Sequence, residues 1–208
     1  MSIMELVRKI SPMGLIDGCV SFMGFNMIHS AINVQTQNGN MSNNFTALFH
    51  AGSAVQLALS YIISGNDKNY YVLKKFCSGY FMYDTVYTIK YRKFNLTSIF
   101  YCYHHLSSIY YLHQNPTMYS ADKVMFWGEL SNLPSYFVYY YLKTNKDPKK
   151  LRLLKKLQFC LYSFIRLPIM SYLTYNALST VEDKRPIYAV LPVYLMGLFW
   201  SRTLYKNL

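Results

Sequence analysis

The chain has 208 residues, of which 52% are hydrophobic, 18% are aromatic and only 14% are charged, with a formal net charge of +12. A charged fraction well below the roughly 25% of soluble domains disfavours an ordinary water-soluble fold. The four cysteines form no CxxC pair, so no zinc ribbon and no disulfide framework is indicated. The densest positive run, KTNKDPKKLRLLKK at 143–156, joins two apolar segments, so we predict no nucleic-acid partner.

Seven windows of the chain are apolar and nearly free of charge, and we predict a helix in each. They cover about residues 13–33, 46–64, 76–91, 96–113, 124–142, 157–176 and 187–204. A helix of about that length, rising about 1.5 Å per residue, crosses a hydrocarbon core about 30 Å thick. The predicted fold is an all-α polytopic transmembrane helix bundle of about seven helices, over 13–205, after a short N-terminal segment, 1–12. A soluble all-α core is the alternative, but the chain has few polar residues to cover its aromatic surface.

The distribution of basic residues predicts the orientation of the bundle. Lys and Arg are more numerous on the side of the 143–156 loop than on the opposite side, and the more positive side of a membrane protein faces the cytosol. We therefore predict a luminal N-terminus and a cytosolic C-terminus, with the 143–156 run near anionic headgroups. The sequons at Asn40 and Asn44 favour the opposite orientation, because they accept glycans only in the lumen.

Ionisable residues also occur inside the predicted spans, where a charge at mid-bilayer costs about 2.5–3.5 kcal/mol even on a lenient scale. They are His50, Asp84, His104, His105, Glu129 and Arg166. Such residues normally face the interior of a bundle, pair with each other or line a cavity. We predict that the six converge on one polar centre.

The adjacent histidines His104 and His105, in FYCYHHLSSIYYL, are the main candidates for chemistry. Adjacent helical residues point about 100° apart, so we predict that one ring faces a substrate while the other bonds Asp84 or Glu129. A carboxylate in that position fixes the tautomer of the imidazole, as in general-base catalysis. Ser108 lies four residues after His104 and shares its face. An interhelical hydrogen-bond network without chemistry is the alternative.

A metal centre is a weaker interpretation of the same residues. A zinc ion bound by His104, His105 and Glu129 is one version of it. The pattern of membrane di-iron desaturases fails, because Tyr101 stands where their outer histidine belongs and the chain has only 5 histidines. We therefore predict no metal. The predicted catalytic residues are His104, His105, Asp84 and Glu129, and the predicted substrate-binding residues are His50, Arg166 and Ser108.

Five short motifs follow one another at the spacing of helices. They are LFHA with His50, GYFMYDTVY with Asp84, YHHLSSIYYL with the histidine pair, GELSNLP with Glu129 and SFIRLP with Arg166. In this order, over about 15–205, they resemble the TLC-domain family, above all its small transmembrane members. The resemblance implies an endoplasmic-reticulum or related endomembrane location and a role in lipid metabolism, sensing or transport.

The ceramide synthases are a more distant branch of that family. The resemblance to them implies that His104 and His105 lie at a reaction centre. The chain departs from this branch after the histidines, where Asp122 stands alone in place of a pair of aspartates, and it has no homeobox-like region. The departure weakens the prediction of acyltransferase activity.

Two functions from different classes remain open at this point. In the first, the protein binds, senses or redistributes a lipid in its polar centre. In the second, a ceramide-synthase-like acyltransferase moves an acyl group from acyl-CoA to a lipid amine or hydroxyl. Membrane lipids are the predicted partners in both, and acyl-CoA is a co-substrate only in the second. No other cofactor is predicted, and a homodimer is left open.

Overall fold

The computed structural model describes residues 12–93, 95–144 and 147–208. The helices are α1 (Pro12–Thr36), α2 (Gly39–Ser64), α3 (Asp67–Tyr91), α4 (Leu96–Leu112), α5 (Pro116–Tyr119), α6 (Ala121–Thr144), α7 (Pro148–Phe164), α8 (Met170–Thr180) and α9 (Arg185–Lys206). A π-helical segment, Ile165–Ile169, joins α7 to α8. No strand occurs within these ranges, and the predicted all-α class is confirmed. Residues 1–11, nearly all of the predicted N-terminal segment 1–12, lie outside the described residues.

The connections between helices are short, and polar residues cap the starts of several helices. The side chains of five residues accept hydrogen bonds from backbone N–H groups of the following turn: Asn38, Asn66, Asn95, Asn115 and Asp147. Such a cap typically stabilises a helix by about 1 kcal/mol. Gly65 ends α2 at φ 62°, in the left-handed region that favours glycine.

Six of the long helical segments form a closed ring. Each packs against its neighbours in the order α2, α3, α4, α9, α7 and α6, and α6 packs back against α2. The helices α4 and α6 face each other across the ring and contact each other little. Helix α1 lies outside, against α2 and α3. The ring therefore has an interior to which six helices contribute side chains.

The contact between α1 and α3 is close because Gly79 carries no side chain. A Cβ atom built at Gly79 would lie 2.3 Å from the Cβ of Ser21 and 2.8 Å from its backbone carbon. Real Cβ atoms do not approach that closely, so only glycine permits this crossing. The position fixes how near α1 approaches the ring.

The π-helical segment interrupts the helical stretch formed by α7 and α8. Pro168 lies within it and lacks the N–H that a regular helix would use at that position. Segments of this kind usually occur as single turns and often at functional sites. Here the segment carries Arg166, whose side chain enters the interior of the ring.

The predicted windows overlap the long helical segments. Helix α2 begins at Gly39 and α7 at Pro148, before the predicted starts at 46 and 157, and the window 157–176 runs from α7 across the π-helical segment into α8. Helix α3 begins at Asp67, before the predicted start at 76. Its first turns are polar and charged, so an apolar window does not detect them. Two helices of the described residues, α2 and α9, are long and apolar enough by length and composition to cross a membrane.

Beside a buried apolar core, the structure has buried polar side chains and many exposed apolar ones. Polar residues such as Thr46, His50 and Ser131 are fully buried, whereas Ile63 and Leu106 expose 77% and 60% of their surface. Large exposed apolar residues occur on every long helix of the described chain. Monomeric soluble proteins rarely expose continuous apolar surface on this scale.

Candidate functional site

The interior of the ring holds a cavity of about 690 Å³. Each helical segment of the ring contributes to its lining, for example Asn43 from α2, Asp84 from α3, His105 from α4, Glu129 from α6, Tyr162 from α7 and Trp200 from α9. The cavity has the size of sites that bind small molecules.

Five of the six ionisable residues singled out in the sequence line this cavity. They are Asp84, His104, His105, Glu129 and Arg166. The residues come from four segments of the chain, and the ring topology brings them together. Their convergence on one polar centre agrees with the prediction, and His50 is the exception.

Asp84 and His105 form a pair across α3 and α4. The Oδ2 atom of Asp84 lies 3.6 Å from Nε2 of His105, and both side chains are buried. The amide of Asn43 donates a hydrogen bond of 3.2 Å to the other oxygen of Asp84. The Nδ1 atom of His105 lies 3.4 Å from the hydroxyl of Thr85. Neighbours on α2 and α3 therefore hold the Asp84–His105 pair in place.

His104 has a different environment from His105. It also lines the cavity, and its ring centre lies 5.3 Å from that of His105. Its Nδ1 atom is buried, and within the described residues it has no hydrogen-bond partner. The two rings share one cavity, but only His105 is tied to a carboxylate. In this geometry His105 lies beside a carboxylate and His104 has an unpaired nitrogen, and the predicted division of their roles stays a prediction.

His50 lies behind the cavity wall rather than in the cavity. It is fully buried and stacks on Tyr80, with ring centres 3.8 Å apart and an angle of 9° between the planes. Its Nδ1 atom lies 4.0 Å from Oε2 of Glu129. His50 lines neither cavity, and both of its ring nitrogens are buried without a hydrogen-bond partner among the described residues. Its predicted contact with a substrate stays a prediction.

Arg166 is held between α6 and α9. Its Nε atom donates to the Ser131 hydroxyl at 3.2 Å, and its Nη2 atom donates to the Gly128 carbonyl at 3.3 Å. A Cβ atom at Gly197, on α9, would come within 3.3 Å of the Arg166 Cδ. The Arg166 side chain therefore lies between Gly128 and Gly197.

A second, smaller cavity of about 90 Å³ adjoins the first one. His104, Glu129 and Arg166 line both of them. Most of its remaining lining is apolar, including Met125, Met170, Ile187, Val190 and Val193. Ser108 lies in this smaller cavity together with His104, as the predicted shared face requires. The site thus joins a wide cavity, lined by both polar and apolar side chains, to a narrow and mostly apolar one.

The wide cavity reaches the surface at the end of the bundle where α3 and α6 terminate. Arg92 and Lys143 line it there and are exposed. Arg92 lies over the ring of Tyr101, 5.4 Å from its centre, and Tyr101 stacks on Trp200. Lys143 lies over the ring of Tyr139 at 5.7 Å. The opening is therefore aromatic and positively charged.

The most important residue that the sequence analysis missed is Asn43. It lies in the polar first turns of α2, before the predicted window 46–64, so a search for polar residues inside the windows does not reach it. Asn44, one turn into α2, donates to the Tyr136 carbonyl at 3.1 Å and lines the cavity. Its inward position leaves that sequon unsuited to carry a glycan.

No group of three or more His, Cys, Asp or Glu side chains is arranged to hold a metal ion within the described ranges. Comparison with protein-family models, curated proteins and solved structures finds no match to the chain. The resemblance to the TLC-domain family therefore rests on the five motifs and stays a prediction.

Proposed function

We propose that the chain is a multi-pass endomembrane protein of the TLC-domain type that binds a lipid in the cavity of its helix ring. One observation carries this proposal. The ring encloses a cavity lined by Asp84, His104, His105, Glu129 and Arg166, while large apolar side chains are exposed on every long helix of the described chain. A lipid bilayer is the solvent that suits such an exterior, and an amphiphile suits such an interior.

Few of the described helices are long and apolar enough, by length and composition, to cross a membrane, and the proposal of seven spans has to account for this. Among the described helices, α2 and α9 are long and apolar enough. Helix α4 has only 17 residues, and α3 and α6 carry the inward-facing Asp84 and Glu129. Inward polar groups lower the mean hydropathy of a helix without altering the face that meets lipid. Helix–helix contacts in membranes also favour small and polar residues, such as Gly79 and Asn43 here.

The opening of the cavity is proposed to face the cytosol. It lies at the end of the bundle that carries Arg92, Lys143 and the first turns of α7. Those turns contain Lys149, Lys150 and Arg152, and the more positive side of a membrane protein is the cytosolic one. The endoplasmic reticulum or a related membrane is the location that the TLC-like motifs imply.

The two joined cavities suit a ligand with a polar group and a hydrocarbon chain. The polar group would lie near the Asp84–His105 pair and Arg166, where donors and acceptors converge. The chain would extend along Met125, Ile187 and Val190. A pocket that is mostly apolar with a few well-placed polar groups is the usual form of a small-molecule site.

The free nitrogen of His104 favours a second candidate function, acyl transfer. In that reaction the amine or hydroxyl of a lipid attacks the thioester of acyl-CoA, and His104 takes the proton of the attacking group. The new amide or ester bond forms as the carbon–sulfur bond breaks, and the coenzyme leaves as a thiolate that recovers the proton. In this reaction Asp84 and His105 would form the part of the cavity lining next to His104.

The two candidates are separated by lipid analysis of membranes that contain equal amounts of each variant. We expect the double variant His104→Ala/His105→Ala to lose the lipid that co-purifies with the wild type. His113→Ala is the matched control, because His113 lies at the end of α4 and lines neither cavity. A new lipid product made by the wild type but not the double variant supports transfer, and identical lipid profiles for all three proteins contradict both functions.

A further inference from the structure

We propose that His29, on the outer helix α1, is a positioning residue for the Asp84–His105 pair inside the ring. His29 is half-buried and lines neither cavity. Its Nδ1 atom nevertheless lies 2.7 Å from the hydroxyl of Tyr83, one of the short polar contacts between helices in the structure. The proposal deepens the proposed function, on which the role of the pair rests.

A continuous series of polar contacts leads from His29 to the cavity. Tyr83 donates its hydroxyl proton to Oδ1 of Asn43 at 2.9 Å. Asn43 then donates from Nδ2 to Oδ1 of Asp84 at 3.2 Å, and Oδ2 of Asp84 lies 3.6 Å from Nε2 of His105. The series passes through four helices, α1, α3, α2 and α4.

The direction of these hydrogen bonds follows from the number of protons available. A tyrosine hydroxyl has one proton, and in this geometry Tyr83 gives it to Asn43. The contact with His29 then requires that the imidazole donates from Nδ1. A neutral His29 is therefore the tautomer with its proton on Nδ1.

The tautomer of His29 has a consequence for the carboxylate of Asp84. If the Nδ1 atom were unprotonated, it would compete with Asn43 for the Tyr83 proton. The amide oxygen of Asn43 would then lose its donor, and the amide could turn that oxygen toward Asp84. Tyr83 and Asn43 are only 3% and 6% exposed, so solvent is a poor substitute for a lost partner at this position. His29 thus keeps the Asn43 N–H directed at Asp84.

Nitrogen-15 spectroscopy of the histidine side chains tests this directly. The full-length protein is labelled at its 5 histidines, placed in lipid nanodiscs at a pH where the rings are neutral, and assigned by single substitutions. We expect His29 of the wild type to be protonated on Nδ1, and we expect the resonances of His105 to shift in His29→Leu. A wild-type His29 that is protonated on Nε2 overturns the proposal without any variant.

A matched pair of substitutions separates positioning from packing. The amide nitrogen of asparagine lies near the position of Nδ1, so His29→Asn should leave the His105 resonances as in the wild type. His29→Leu keeps similar bulk without a donor and should move them. His105 resonances that are the same in both variants overturn the proposal. Both readouts are independent of any lipid, so the proposed function and this inference can fail separately.

Discussion

At the level of single residues, the polar side chains inside the ring depend on one another for their partners. Asn43 is the clearest case, because it accepts from Tyr83 and donates to Asp84. Each partner is on a neighbouring helix and is buried. Loss of Asn43 would leave the buried Asp84 carboxylate without its amide donor and the Tyr83 hydroxyl without its acceptor, with His29 as its remaining partner.

We therefore expect Asn43→Leu to lower the free energy of unfolding by about 1–3 kcal/mol, the usual cost of leaving buried polar groups unpaired. Thermal unfolding in nanodiscs measures the change. Asn26→Leu is the matched control, because the exposed Asn26 bonds only the Phe22 carbonyl of its own helix among the described contacts. Equal unfolding temperatures for the two variants would show that Asn43 does not stabilise the ring.

Gly197 offers a test of Arg166 that leaves Arg166 itself unchanged. A Cβ atom there would come within 3.3 Å of the Arg166 Cδ, so Gly197→Ala should displace the guanidinium from Ser131. We expect lipid binding to weaken by about fivefold, which corresponds to about 1 kcal/mol. At Gly52 a Cβ atom meets no described atom within 4 Å, so Gly52→Ala should bind as the wild type does. If Gly197→Ala binds lipid as tightly as the wild type, Arg166 does not contribute to lipid binding.

At the level of helices, the crossing of α1 and α3 depends on a single glycine. Gly79→Ala would force a methyl group against Ser21, where the Cβ distance is 2.3 Å. We expect the free energy of unfolding to fall by at least about 1–3 kcal/mol, the usual cost of an overpacked contact. Gly24→Ala, on α1, meets no described atom within 4 Å and should be neutral or slightly stabilising. Thermal unfolding of both variants measures the difference, and similar unfolding temperatures would contradict the close crossing.

The same elements show how far the sequence predicts this molecule. Apolar windows locate the long helices because inward and outward faces are both poor in charge, and ionisable residues inside those windows locate most of the cavity lining. The π-helical segment at Ile165–Ile169 was not predicted, because Pro168 alone does not distinguish a kink from a π turn. The position of His50 outside the cavities depends on how Tyr80 stacks against it, which is a tertiary contact. The closed ring depends on pairings between distant helices, which hydropathy does not encode.

At the level of the whole molecule, the proposed orientation rests on the basic residues Arg92 and Lys143 at the opening of the cavity. We expect a tag at the C-terminus to be accessible from the cytosol and a tag at the N-terminus to be protected. Antibody access after selective permeabilisation of the plasma membrane measures both. Asn40 and Asn44 should remain unglycosylated in the same cells. A glycan on Asn40, or access only to the N-terminal tag, would reverse the orientation and place the basic opening in the lumen.

The central claim is that a lipid occupies the interior of the ring rather than only its outer surface. The most direct measurement is photo-crosslinking in membranes with a lipid that carries a photoreactive group in its acyl chain, followed by mapping of the labelled residues. We predict labelling of interior residues such as Met125, Met170 and Val193, with loss of that labelling in His104→Ala/His105→Ala. Labelling confined to outward-facing residues such as Leu106 and Leu195, and equal in both proteins, would contradict the account.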